Sequence, residues 1–224
     1  MSDLRIHAKN NFLYLTCALI LLIVAAALQE TIPQGWGHTF LSLVLLGTLV
    51  VAFLSLNFGT LWRKVVAVMA LCWIALTVLG DGWQLFDRQL PSLLILLVFF
   101  VGEAYFAARQ VLLSGRQIDQ NMMFGALALY LLIGLIWGIV FLLILAYSPD
   151  AFRGMAEADY ADNFLTAIYF SFVTMTSLGY GDISPAEPMA QVATILAAIS
   201  GAFYMAVVVA SMVGARSSNR NTQG

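Results

Sequence analysis

The chain has 224 residues, of which 62% are apolar and only 10% charged, and its mean hydropathy is +0.91. Soluble domains carry about 25% charged residues, so these proportions exclude a soluble enzyme and a disordered tail and put the chain in a membrane. A net charge of −2, from ten basic and twelve acidic side chains, leaves no basic stripe for a phosphate backbone, so no nucleic-acid partner is expected.

The charges are bunched, leaving charge-free windows at 10–29, 31–62, 65–80, 89–102, 120–149, 163–181 and 188–215. About 18 or more apolar residues in a row read as a bilayer-spanning helix, and the apolar cores predict helices at 11–29, 39–58, 62–80, 89–113, 122–147 and 188–214. The first follows Arg5 and Lys9 and ends in Ala25-Ala26-Ala27, the outline of a secretory signal. Its apolar run exceeds the ~7–15 residues of that class, so a span is expected there. Cys17 and Cys72 fall in apolar windows and read as buried free thiols, not as a disulfide or metal pair.

The window 163–181 is left over. It ends in Ser177-Leu178-Gly179-Tyr180-Gly181, a poor continuous helix because glycine costs about 1 kcal/mol relative to alanine. The window either crosses the membrane or dips in and returns, and the excess of Lys and Arg in cytoplasmic loops decides between them. If it returns, Arg5, Lys9, Arg63, Lys64, Arg109, Arg116, Arg216 and Arg220 lie inside, and only Arg88 and Arg153 lie outside. If it crosses, Arg216 and Arg220 move out and the bias weakens. The expectation is therefore six transmembrane helices, both termini cytoplasmic, and a loop re-entering from outside. Trp36, Trp83 and Tyr147 on the outer side and Tyr14 and Trp62 on the inner side fall near the expected interfaces.

Irregular backbone at membrane depth is tolerated only where protein buries it or where it lines a watery cavity. The stretch Thr174-Met175-Thr176-Ser177-Leu178-Gly179-Tyr180-Gly181-Asp182 resembles the signature of potassium channels. The resemblance covers roughly 160 to 214, and the first four spans share only the six-helix layout. In that family, rings of backbone carbonyls replace the hydration shell of K⁺. Gly179 and Gly181 suit the task because glycine adopts the backbone angles that turn successive carbonyls toward one axis.

The resemblance implies an all-α membrane protein. Residues 1–114 would form a peripheral four-helix domain and 115–121 a cytoplasmic linker. A pore domain would span 122–216 and a short tail 217–224. Within the pore domain the outer helix would be 122–147, the pore helix 163–175, the filter 177–181 and the inner helix 188–214. K⁺ would sit at Ser177, Leu178, Gly179 and Tyr180, with Gly181 completing the filter. One loop supplies a quarter of a ring and the chain has no internal repeat, so a homotetramer in the plasma membrane is implied, with K⁺ and lipids as partners and no cofactor.

The chain departs from the family at several places. Ser177 stands where threonine is usual and Leu178 where valine is usual. Two bracing tryptophans of the pore helix are here Tyr169 and Phe170; Tyr169 still reaches for Asp182, whereas Phe170 has nothing to offer the Tyr180 hydroxyl. Gly201 occupies the place of the inner-helix hinge, although packing among Ala197, Ala198 and Ala202 explains a glycine there equally well. Ala202, Met205, Val209 and Val213 share a helical face and would line the inner pore, an apolar lining able to gate by dewetting. Asp150, Glu157, Asp159, Asp162, Asp182 and Glu187 crowd the outer mouth against Arg153 alone.

The fourth predicted span carries one arginine, Arg109, so no voltage sensor of the arginine-rich kind is expected. Glu103 is an acid inside that span, either a proton-sensitive switch or a partner for Arg63 or Lys64. His7 and His38 read as incidental, and no ligand-binding domain is expected in the short stretches at 114–121 and after Arg216.

Three alternatives remain. Gly179-Tyr180-Gly181-Asp182 also fits the G-x-G-D pattern of intramembrane aspartyl proteases, but these need two carboxylates sharing a proton, and no predicted span holds a second aspartate. A weakly selective cation channel of the same plan, and a silent pore-related subunit, are the other two. The sequence points foremost to a passive K⁺-selective channel that is not an enzyme.

Overall fold

The computed structural model describes residues 11–29, 31, 37–55, 64–73, 89–112, 120–155 and 160–209. Helix α1 is Asn11–Gln29, α2 Gly37–Ser55, α3 Lys64–Trp73, α4 Gln89–Leu112, α5 Gln120–Tyr147, α6 Tyr160–Met175 and α7 Pro188–Tyr204. Two-residue strands β1 (Phe152–Arg153) and β2 (Ser184–Pro185) pair antiparallel, Phe152 with Pro185 and Arg153 with Ser184, an addition to the all-helical expectation.

A helix stands at each of the six places predicted for spans. Four are long and apolar enough to cross a membrane: Asn11–Gln29, Gln89–Val111, Gln120–Tyr147 and Pro188–Val207. α2 and α3 offer shorter apolar stretches, Phe40–Ala52 and Lys64–Trp73. The rest of the predicted 62–80 helix lies outside the described residues.

α5 is the hub. It has no charged residue in 28 positions and packs against α1, α4, α6 and α7. α1 runs beside it in the same direction, held by the few polar groups both helices possess. Asn121 donates from Nδ2 to Asn11 Oδ1 at 2.8 Å and accepts the Phe12 amide at 3.1 Å. One turn on, the Thr16 hydroxyl reaches the Phe124 carbonyl at 2.9 Å. In an apolar phase each such group left unpaired would cost several kcal/mol, so these pairs fix the register between the helices.

α1 buries Phe12, Leu15, Thr16, Leu19, Leu22, Ala26 and Gln29 at helical spacing, while Tyr14, Ile20, Leu21, Val24 and Leu28 face outward and are also mostly aliphatic. A helix apolar on every side suits a lipid-facing position. Cys17 on α1 and Cys72 on α3 are free, as expected, but both are exposed and not in the core. Hydropathy alone does not say which face of an all-apolar helix turns inward.

α7 begins with Pro188 in its first turn, where the missing amide costs nothing. It does not run unbroken to 214 as predicted. After Tyr204 the chain takes one π-helical stretch, Met205–Val209, and residues 210–224 lie outside the described set.

Candidate functional site

The site is built on α6, a 16-residue helix that starts three residues earlier than predicted. Its first turn is anchored by the peripheral helices. Gln29 donates from Nε2 to the Ala161 carbonyl at 3.1 Å, and the Trp73 and Tyr160 rings meet edge-on at 6.4 Å. Further along, α6 presses into α5. A Cβ at Gly134 would lie 3.0 Å from Phe172 Cε2, with two more ring carbons nearer, and one at Gly138 would lie 3.2 Å from the Ile168 Cα. Gly134 and Gly138 thus form a small-xxx-small socket. The buried Ser171 hydroxyl donates to the Gly134 carbonyl at 2.6 Å.

α6 ends in a Schellman motif. The Leu178 amide bonds the Val173 carbonyl at 3.0 Å and the Ser177 amide bonds Thr174 at 3.0 Å. The residue after the cap must then be left-handed. It is Ser177, with φ +59°, where glycine is usual. Gly179 (φ +57°) and Gly181 (φ +82°) are left-handed too, whereas Leu178 and Tyr180 are not. The hand therefore alternates residue by residue from Ser177 to Gly181. In an ordinary strand successive carbonyls point to opposite sides, but alternating hand brings successive peptide groups round to one side.

All five residues are exposed within the single chain, Leu178 at 58% and Tyr180 at 67%, and a Cβ at Gly179 or Gly181 would meet nothing within 4 Å. For these glycines the constraint inside the chain is dihedral, not steric. Among the described residues no three His, Cys, Asp or Glu side chains gather into a metal site.

Behind this segment lies a set of braces. The Tyr169 hydroxyl donates to Asp182 Oδ2 at 2.7 Å, and its ring stacks on Tyr180 at 6.4 Å and 6°. That hydrogen bond pushes the Tyr169 hydroxyl up to about 12 and holds the Asp182 carboxyl below its ordinary range. Phe170 turns the other way, into a three-ring cluster with Phe141 (5.0 Å) and Phe152 (5.7 Å). The β1–β2 clip closes the far end. Gly154 lies against the Asp182 carbonyl, and the Ala186 amide bonds Ala151 at 2.8 Å. The Ser148 hydroxyl donates to Glu187 at 2.8 Å.

α7 packs its buried Ala190, Ala193, Ala197, Gly201 and Tyr204 inward. A Cβ at Gly201 would lie 2.7 Å from the Met175 Cα and 2.8 Å from its carbonyl carbon, so this glycine lets α7 touch the end of α6. Trp137 Nε1 donates to Ser200 Oγ at 2.8 Å, and the Tyr204 hydroxyl donates to the Ala126 carbonyl. Ala202 and Met205 are exposed. The π stretch breaks the 3.6-residue register that was expected to align them with Val209, and Val213 lies outside the described residues.

Residues 128–215 match the family model described as ion channel. Over this segment, less than half of the chain, the protein is similar to that family. No curated protein and no solved structure matches the chain. The matched segment holds most of α5 and everything described above from α6 to the π stretch, and four of the described helices are long and apolar enough to cross a membrane.

Glu103 lies outside the matched segment, on α4. It is 0% exposed and neither carboxyl oxygen has a hydrogen-bond partner. The pairing expected with Lys64 is not made, since Lys64 is exposed, and Arg63 lies outside the described residues. Sequence reasoning passed over Gly134, Gly138, Ser171, Trp137 and Tyr204. The Gly134-to-Gly138 spacing was the one readable signal among them, a small-residue pair inside a span.

Proposed function

We propose that the matched segment is a K⁺-selective pore formed by four copies of the chain. α6 serves as pore helix, Ser177–Gly181 as the filter and α7 as the inner helix of a six-span subunit in the plasma membrane, with both termini cytoplasmic. The observation that carries the reading is the alternation of hand over Ser177, Gly179 and Gly181. A row of carbonyls turned to one side is what dehydrating K⁺ requires of backbone.

The open space at both glycines and the exposure of Leu178 and Tyr180 support further copies around an axis. So does the outward stripe of α7, Met189, Val192, Ile195, Ile199 and Phe203, each more than half exposed in the single chain. The test is the reversal potential of purified protein in planar bilayers under opposed K⁺ and Na⁺, for wild type and Gly179→Ala. Reversal near the K⁺ equilibrium potential, lost in the variant, is expected; reversal near zero in the wild type identifies a weakly selective cation pore instead. Chemical cross-linking that stops at dimers would refute the four-copy arrangement.

A further inference from the structure

We propose that the moving joint of α7 is the stretch Met205–Val209, immediately below Tyr204, and that Gly201 is a fixed packing point. The inference rests on reading α7 as the inner helix of the pore. It follows from where α7 is fastened and where it is not.

The helix is tied to its own chain on both sides of Gly201. One residue above, Ser200 Oγ accepts from Trp137 Nε1 at 2.8 Å and donates to the Ala197 carbonyl at 2.8 Å. One turn below, the Tyr204 hydroxyl donates to the Ala126 carbonyl, and its ring sits 5.2 Å from Tyr130. Trp137, Tyr130 and Ala126 all belong to α5, so these ties hold α7 against one rigid rod. Gly201 itself has its Cα side against the backbone of Met175. A bend at Gly201 would shear Tyr204 from Ala126 and reopen the contact with α6 in the same movement.

Among the described residues, Met205, Ala206 and Val207 after Tyr204 offer no polar side chain to make such a tie. Met205 is 55% exposed, Val207 is 45% exposed and Ala206 is exposed as well. The Met205 amide is shared between the carbonyls of Gly201 and Ala202, and the π stretch begins there. A π turn holds one residue more than the α turn it replaces. Its conversion to α-helix would rotate everything beyond it by about 100°. Such a rotation would exchange the side chains that face the pore axis while Pro188–Tyr204 stayed in place.

Hydrogen exchange read by mass spectrometry on the full chain in lipid nanodiscs tests this without depending on conduction. Amides through Tyr204 should be protected, and exchange should rise at least tenfold within 205–209. Tyr204→Phe keeps the ring and removes one hydrogen bond, worth about a fivefold change in local opening, so exchange at 201–204 should rise by about that factor while 188–199 stays unchanged. A protection step at Gly201 in the wild type would overturn the proposal, as would unaltered exchange at 201–204 in Tyr204→Phe. A step at Met205 in a protein that carries no K⁺ current leaves the joint standing and counts against the pore reading alone.

Discussion

Replacing Glu103 by leucine should make the protein more stable, although the substitution removes the one acid buried in α4. The side chain is 0% exposed and both its oxygens lack a hydrogen-bond partner. The helix packed most extensively against α4 is α5, which carries no charged residue at all. A buried polar group left unsatisfied costs about 1–3 kcal/mol. Leucine is close in volume and apolar, so it removes that cost without opening a cavity, for an expected gain of roughly 2–3 kcal/mol. By the scaling of thermal midpoint with stability, that is on the order of 5–10 °C. The assay is thermal unfolding in detergent of wild type, Glu103→Leu and Glu103→Gln side by side. A Glu103→Leu protein that melts below the wild type, with Glu103→Gln unchanged, would refute the reasoning and show that the carboxyl holds a partner through its hydrogen-bonding shape.

Gly134→Ala should push Phe172 and with it α6, costing about 1–3 kcal/mol in the same melting assay, because the new methyl would fall among the Phe172 ring carbons. Ser177→Gly should stabilise by about 1 kcal/mol by relieving the left-handed backbone, and Ser177→Val should destabilise by more than that; equal melting points for the two would refute the assignment of strain. The Asp182 carboxyl is lowered chiefly by the Tyr169 hydroxyl, so this brace is intact above the ordinary carboxylate range and lost only as pH falls through the lowered value. Tyr169→Phe should move the Asp182 titration, followed by carboxyl NMR, up toward its ordinary value; an unmoved titration would show that the hydrogen bond is not the cause. In the wild type the brace should also fail on the alkaline side, as pH rises through about 12 and Tyr169 loses its proton.

Charge-free windows located each apolar helix among the described residues, because a charged side chain is costly in lipid. They misplaced the start of α6, since Asp162 reads as a boundary although Tyr160 and Ala161 on its N-terminal side are buried against Trp73 and Gln29. The two filter glycines were legible from their pattern. The left-handed cap at Ser177 was not, because its residue type argues against that conformation and only the bonds to Val173 and Thr174 reveal it. The π stretch was equally hidden, for it begins where the Tyr204 and Gly201 contacts end, and those are tertiary. β1 and β2 are too short to leave any periodicity. For Gly201 the sequence left hinge and packing balanced, whereas the backbone of Met175 beside it is a fact only coordinates supply.

The polar clasp between α1 and α5 has a consequence for biosynthesis. Asn11 and Asn121 are 110 residues apart, and the bond from Thr16 to Phe124 spans 108. Ribosomes add about 5–20 residues per second, so α1 enters the bilayer roughly 5–20 s before the helix that satisfies its amide and hydroxyl. During that interval Asn11 must borrow water or headgroups at the interface, while Thr16 makes do with the Phe12 carbonyl one turn back on its own helix, a bond it keeps in the finished protein at 2.8 Å. The first helix is thus equipped to wait, and the order of synthesis makes α5 the late-arriving template on which the earlier helices assemble.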